Sequence, residues 1–309
     1  MENFWQKIDR PVLALAPMAG VTDGAFREIC AGFGADVVYS EMANVKALSY
    51  SPEKTLTMLK DARRSAPLVV QLFGSDPEFF YKAVKIVEKE IGPDGIDINF
   101  GCPAPKILKT KAGADLFQDL DLSYEVIRTC LEATKLPVSI KTRIKVGKVT
   151  VFDFWEKVKN LDIKAIMIHG RSFSQGFSGQ IDIESIKKFK KIAGVPVLAN
   201  GGIYDHQEAE RVLQETGVAG LGLARGVMGR PWLFEEIKNS KNISKKNKQI
   251  FCTILRQAQL SQELKGDKGI LEMRKHLCWY IKNLKGARSM RKKLVKVENI
   301  KDIKEILNV

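Results

Sequence analysis

Cys102 lies in Asn99-Phe100-Gly101-Cys102-Pro103, directly after the short apolar run Gly95–Asn99. Glycine and proline on either side leave the thiol little freedom. A lone cysteine is most often buried and inert. One fixed in a turn at a strand end is a candidate acid or nucleophile. Other reactive groups follow the same positional rule. Gln71 sits among apolar residues in Val70-Gln71-Leu72-Phe73. An unmet buried amide costs about 1–3 kcal/mol, so its carboxamide needs partners, either a structural bond or the edge of a heterocycle. Lys141 ends the run Pro137–Lys141, where an ammonium needs a counter-charge; it can hold an anion or form a Schiff base. His169 and Arg171 close Ala165–His169. Asn200-Gly201-Gly202 and Ala224-Arg225-Gly226 close the last two runs. Bare N–H groups in such loops bind phosphate. Pro17, Met18 and Ala19 follow the first run, where small and apolar residues admit a flat ligand. Lys106, Lys109 and Lys111 form a basic loop just beyond Cys102.

These groups share one position because of the elements that carry them. The runs Val12–Ala16, Asp36–Ser40, Leu68–Phe73, Gly95–Asn99, Pro137–Lys141, Ala165–His169, Val195–Asn200 and Ala219–Ala224 read as buried parallel strands. Amphipathic stretches separate them. Phe26, Ile29, Cys30 and Phe33 have helical spacing, as do Phe79, Phe80, Ala83, Val84, Val87 and Ile91 behind Asp76-Pro77. Asp205 and Glu208 have the spacing of a capping box. Eight such units predict a (β/α)8 TIM barrel over residues 1–240, with chemistry at the C-terminal ends of the strands. No G-x-G-x-x-G follows the first strand, which disfavours an open dinucleotide-binding sheet. The polar stretch 239–244 reads as a linker. Helical patterns at 249–264, 269–284 and 287–297 predict a small all-helical C-terminal domain over 241–309.

The charge divides along the same line. The 309 residues carry 50 Lys and Arg against 36 Asp and Glu, and residues 241–309 alone hold 18 against 6. The preceding 240 are nearly balanced, at 32 against 30. A compact basic segment beside a near-neutral barrel predicts a polyanionic partner, nucleic acid above all. Apolar residues at 45% and charged residues at 28% suit a folded chain and exclude a disordered or fibrous one. No apolar run reaches the ~18 residues of a membrane span. The N-terminal Met1-Glu2-Asn3-Phe4-Trp5-Gln6-Lys7 has no signal-peptide character. Five scattered cysteines, none in a Cys-x-x-Cys pair, predict a reduced cytoplasmic protein with no structural metal. The predicted rim has neither a carboxylate pair nor a metal-ligand cluster, which disfavours glycosidase and metallohydrolase chemistry. It suits a phosphate-bearing flavin, with Arg225 on the phosphate and Gln71 and Lys141 on the ring edge.

Taken together, Ala16-Pro17-Met18-Ala19-Gly20-Val21-Thr22-Asp23, Asn99-Phe100-Gly101-Cys102-Pro103 and Ala224-Arg225-Gly226-Val227-Met228-Gly229-Arg230-Pro231-Trp232 resemble the motifs of the tRNA-dihydrouridine synthases. These are bacterial-type FMN-dependent enzymes that reduce uridine in tRNA at the expense of NADPH or NADH. Lys141-Thr142-Arg143, His169-Gly170-Arg171 and Met273-Arg274-Lys275-His276 stand in family order. The resemblance implies that Pro17, Met18, Ala19, Gln71, Lys141, His169, Asn200, Gly201, Gly202, Ala224 and Arg225 hold FMN. It implies Cys102 as the acid that protonates C5 of uracil after hydride reaches C6. Asn99, Lys106, Lys109, Arg171, Arg274 and Lys275 are the expected substrate contacts, with tRNA as partner to a monomer. One departure is Gly202, where the family usually has Asp. Three other readings remain: a flavoenzyme acting on a small free pyrimidine, a Schiff-base aldolase using Lys141, and a non-enzymatic RNA-binding protein.

Overall fold

The computed structural model describes residues 3–60 and 64–309; Met1 and Glu2 of the N-terminal stretch read above lie outside them. Eight parallel strands close on themselves. They are β1 (Val12–Leu15), β2 (Val37–Tyr39), β3 (Leu68–Phe73), β4 (Gly95–Asn99), β5 (Val138–Arg143), β6 (Ala165–His169), β7 (Val197–Asn200) and β8 (Gly220–Leu223). Each pairs with its successor, and β8 pairs with β1 through Val12↔Gly220, so the eight strands close into a barrel. The predicted strands are all present. β5 runs to Arg143, two residues beyond the expected end, because Thr142 and Arg143 continue the ladder to Ile168 and His169.

Helices cover the outside, and their starts follow local chemistry. The Asp23 side chain caps α1 (Gly24–Gly32). Asp76, with Pro77 in the first turn, opens α2 (Pro77–Glu90), which buries Phe80, Ala83, Val84 and Val87. α3 (Leu120–Ala133), α4 (Val151–Val158), α5 (Ile183–Ile192) and α6 (His206–Thr216) complete the ring. Asp205 accepts the Glu208 N–H at 2.8 Å, as its spacing predicts. The return bond differs: Glu208 accepts from the Tyr204 N–H at 2.7 Å rather than from the cap residue, and so ties down the loop after β7.

Inward-facing residues alternate along the strands, as the pleat requires. In the lower half they are apolar: Val12, Ala14, Val37, Val69, Ala165, Met167 and Leu198 pack with Trp5 in one buried cluster. At the C-terminal end they turn polar: Gln71, Asn99, Lys141, His169 and Asn200.

Beyond α7 (Leu233–Lys238) come α8 (Asn247–Lys265), α9 (Asp267–Tyr280), α10 (Ala287–Leu294) and α11 (Ile300–Leu307). The sequence reading has three of these. It misses α11, although Asn299 and Asp302 form a reciprocal capping box at its start. Ile254, Ala258, Ile270, Leu277, Leu294 and Ile303 share an apolar cluster of their own. These helices are also fastened to the barrel. Leu260 packs on Ala25 and Ile29, and the His276 ring lies 4.8 Å from that of Phe26. Lys265 bridges Asp23 at 3.3 Å and Glu272 at 2.7 Å. Gly229, at φ +73°, lies where a side chain would overlap the Trp279 carbonyl, so its lack of a Cβ lets α9 close onto the segment after β8.

Candidate active site

A cavity of about 300 Å³ opens at the C-terminal end of the barrel. That is the low end of the range for small-molecule sites. Its lining contains Pro17, Met18, Ala19, Gln71, Asn99, Cys102, Lys141, His169, Arg171, Asn200, Gly201, Gly202, Ala224 and Arg225. The strand-end rule therefore brings fourteen sequence-selected residues to one place. The other four stand outside it. Lys106 and Lys109 are exposed, at the helical turn Pro105–Leu108 beyond Cys102. Lys275 is exposed on α9, its Nζ 3.5 Å from the position a Cβ of Gly20 would take. Arg274 is half-buried and donates from Nε to the Val297 carbonyl at 2.8 Å.

The register explains the convergence. Gln71 stands opposite Asp97, Asn99 opposite Lys141, Arg143 opposite His169, and Asn200 opposite both His169 and Gly222. The chemical groups thus form a ring around the closed sheet. Cys102 follows β4 in a turn whose N–H groups are held by Asn99 Oδ1, at 3.1 Å from Gly101 and 2.9 Å from Cys102. The Cys102 carbonyl accepts from the Ala114 N–H at 3.1 Å, closing the basic loop back onto the turn. The thiol is half-exposed. Cys30 and Cys130 are buried in α1 and α3, while Cys252 and Cys278 lie on α8 and α9 away from the cavity.

The charge in the cavity has one sign. Lys141, Arg143, Arg171 and Arg225 line it, and among the described residues no carboxylate does. Burial and the neighbouring Arg143 bring Lys141 down to about 8; the buried Asp97 and Cys102 act the other way. Burial and these four cations push His169 down to about 2, so its imidazole is neutral. Its Nε2 lies 3.4 Å from Arg171 Nη1. A cation cluster with no carboxylate in the lining of its cleft is a site for an anion.

The residues fit a phosphate there. Gly201 has φ +105°, a backbone conformation open to glycine, and a Cβ would fall 2.5 Å from His169 Cδ2 and 3.2 Å from Arg171 Nη1. The space beside its backbone is a cradle between imidazole and guanidinium. Gly202 likewise keeps positive φ, with Arg171 Nη2 3.6 Å from its Cβ position.

Sequence reasoning missed the loop that covers this end. Arg143 donates to the carbonyls of Gly101, Ser172 and Gly176 at 2.9, 3.0 and 3.0 Å. Arg171 donates to the Gly179 carbonyl at 2.8 and 2.6 Å, and Arg225 to that of Phe177 at 3.0 Å. Phe177 lies between Arg143 and Arg225, its ring centre 5.7 and 5.1 Å from their guanidinium carbons. The Tyr204 ring centre lies 5.9 Å from the Arg225 guanidinium carbon. Arginine within reach of the rim was the available signal, but which carbonyls it would find depends on the fold of the loop.

The family profile of dihydrouridine synthases matches residues 14–308. The chain belongs to the dihydrouridine synthase family. It is accordingly an oxidoreductase. It is 33% identical over 295 residues to a probable tRNA-dihydrouridine synthase of Aquifex aeolicus (strain VF5), covering 94% of this chain and 92% of that one. It is 34% identical over 290 residues to tRNA-dihydrouridine synthase B of Pseudomonas aeruginosa (strain PAO1), covering 90% and 86%. Among solved structures, TcOYE with pHBA superposes with a TM-score of 0.56 at 10% identity, covering 76% of this chain and 91% of that one. Histamine dehydrogenase from Rhizobium sp. 4-9 does so at 0.58 and 13%, covering 81% of this chain and 49% of that one. At those identities the structures support the barrel alone.

Proposed function

We propose that this dihydrouridine synthase reduces specific uridines of tRNA to 5,6-dihydrouridine, with FMN in the barrel mouth and NADPH or NADH as reductant. The observation that carries the reading is one cavity in which an anion cradle, a ring-edge amide and ammonium, and a single thiol converge. FMN would be held by Asn200, Gly201, Gly202, Ala224 and Arg225 around its phosphate and ribityl chain. His169, neutral, sits beside them as an uncharged partner. Pro17, Met18 and Ala19 supply the apolar contact for the ring, and Gln71 and Lys141 its polar edge. Gly202 leaves this contact to the backbone.

When bound and reduced, FMN would supply the hydride for C6 of uracil. The protein supplies the rest. Charge then builds at C5 and O4 of the base, and Cys102 gives its proton to C5. The thiolate left behind shares the cavity with Lys141 and Arg143. Water restores its proton. Asn99 and Arg171 orient the base, which leaves the RNA stack to enter. Residues 241–309 form the tRNA-binding domain. Lys265 and Lys275 bring its helices to the β1 loop, beside the cavity rim. Lys106 and Lys109 meet the backbone on the opposite side of Cys102, with Arg274 and Lys275 on the domain side.

The test is direct. Purified protein should be yellow and release FMN on denaturation. With NADPH and unmodified tRNA it should raise the mass of defined uridines by two hydrogens. A protein that holds reduced FMN yet leaves every tRNA uridine unchanged would overturn the tRNA reading. Turnover of free uracil or uridine in its place would move the substrate to a small pyrimidine.

A further inference from the structure

We infer that Asp97 is a positioning residue for Cys102, acting through Gln71 and Asn99. This deepens the reading above, since it rests on Cys102 as the proton donor. The three side chains form one line across β3 and β4. Gln71 donates from Nε2 to Asp97 Oδ2 at 2.7 Å. Asn99 donates from Nδ2 to Gln71 Oε1 at 2.8 Å. Asn99 Oδ1 receives the N–H groups of Gly101 and Cys102. Behind Asp97, Ser139 donates to Oδ1 at 2.7 Å.

The direction of this line is set at both ends. Backbone N–H groups only donate, so Asn99 must turn its oxygen to the Cys102 turn. Its nitrogen then faces Gln71, which must answer with oxygen. The Gln71 nitrogen is left facing Asp97, and a carboxylate there only accepts. No amide in the line can flip without setting donor against donor or acceptor against acceptor. Asp97 is fully buried, and Gln71, Ser139 and Asn99 are 1%, 1% and 7% exposed, so the links lie almost wholly out of water. A buried carboxylate is costly, and burial pushes this one up to about 6. An apolar side chain would fill the barrel at lower cost. What the carboxylate adds is a fixed acceptor, and the line that starts from it ends on the turn that carries the thiol.

The test reads the thiol and needs neither tRNA nor turnover. FMN-loaded enzyme is alkylated with iodoacetamide, and modification of Cys102 is followed by peptide mass spectrometry from pH 6 to 9. Asp97→Ala removes the acceptor, and the rate should change by roughly tenfold, the worth of one buried hydrogen bond. A second comparison preserves volume. In Asn99→Asp two carboxylates compete for the single Gln71 amide; one holds a proton until it is driven off. The ratio of variant to wild-type rate should then show a step with pH. Lys141 and Tyr39 are the other titratable groups facing the line. In Asp97→Asn/Asn99→Asp the line can run in reverse: position 97 donates to Gln71, Gln71 to position 99, and position 99 still accepts from the turn. Its ratio should be flat and within about threefold of unity, the error expected from one modest hydrogen bond. A double variant that folds, keeps FMN and still tracks Asn99→Asp would overturn the inference and leave Asn99 as the sole anchor. Failure of wild-type enzyme to modify tRNA would count against the function, while this comparison would stand.

Discussion

Neutralising the charge of α10 is the sharpest test of how RNA is bound. Arg288, Arg291, Lys292 and Lys293 are exposed on it, and none pairs with a carboxylate among the described residues. Deleting residues 241–309 would be the simpler experiment but a poorer one. It would uncover Ala25, Ile29 and Phe26 on α1 and leave Asp23 without Lys265, so lost binding could reflect a damaged barrel. Replacing the four cations by glutamine leaves that interface intact. Each phosphate contact contributes about −0.9 to the slope of log K against log salt, or about −0.7 on single strands. At 0.15 M salt a contact is then worth roughly 0.6–0.7 decades. Four contacts predict a loss of roughly 10²–10³-fold in tRNA affinity and a slope shallower by about three. Fluorescence titration of labelled, unmodified tRNA against the quadruple variant, from 50 to 300 mM salt, measures both. FMN content and the rate of reduction by NADPH should not move. If slope and affinity match wild type, the basic helix is a solvated surface and the RNA is held elsewhere.

Three further outcomes follow from the cavity. Cys102→Ala should stay yellow and accept hydride from NADPH normally, yet single-turnover reoxidation by tRNA should fall by roughly 10²–10⁴-fold; a wild-type rate would remove the thiol from the chemistry. Gly201→Ala puts a methyl group against His169 at a backbone angle costing about 1–3 kcal/mol; the flavin-free loop sheds this by shifting and must regain the cradle to bind, so FMN affinity should drop by up to roughly 5–150-fold on titration of flavin-free protein. His169 gives a pH signature of definite sign. Its unfolded form binds a proton near 6.5 and its folded form only near 2, so the unfolded state binds more protons and stability falls as pH drops below 6.5. That is about 2 kcal/mol between pH 7 and pH 5, and His169→Asn should lose this part of the decline in urea unfolding of flavin-free protein.

The barrel was legible because its signals are local. Each strand is a short apolar run and each helix carries its own periodicity and cap, as Asp76-Pro77 shows. The closure that turns eight strands into a barrel is not written in any one of them, but the number and rhythm of the units imply it. Where the local signal was read incompletely, the error was local too. α11 has an evident capping box at Asn299, but it lies beyond the last long apolar pattern. β5 runs past its expected end because Thr142 and Arg143 look like loop residues until His169 is placed beside them.

The site divides differently. Residues lining the cavity follow from strand ends, since a closed parallel barrel gathers those ends into one ring. The residues beneath them do not. Asp97 lies two positions before Asn99 on the same inward face, so its direction follows from the pleat. Its partner does not: only the pairing of Gln71 with Asp97 brings the amide to the carboxylate, and a shift of one residue would turn it away. The covering loop fails for a related reason. Phe177 is held by Arg143 from β5 and Arg225 from beyond β8, two residues far apart in sequence that the curved sheet brings together. Chemistry carried by a side chain and its strand end is readable from one dimension. Chemistry that depends on what stands across the barrel from it requires the fold.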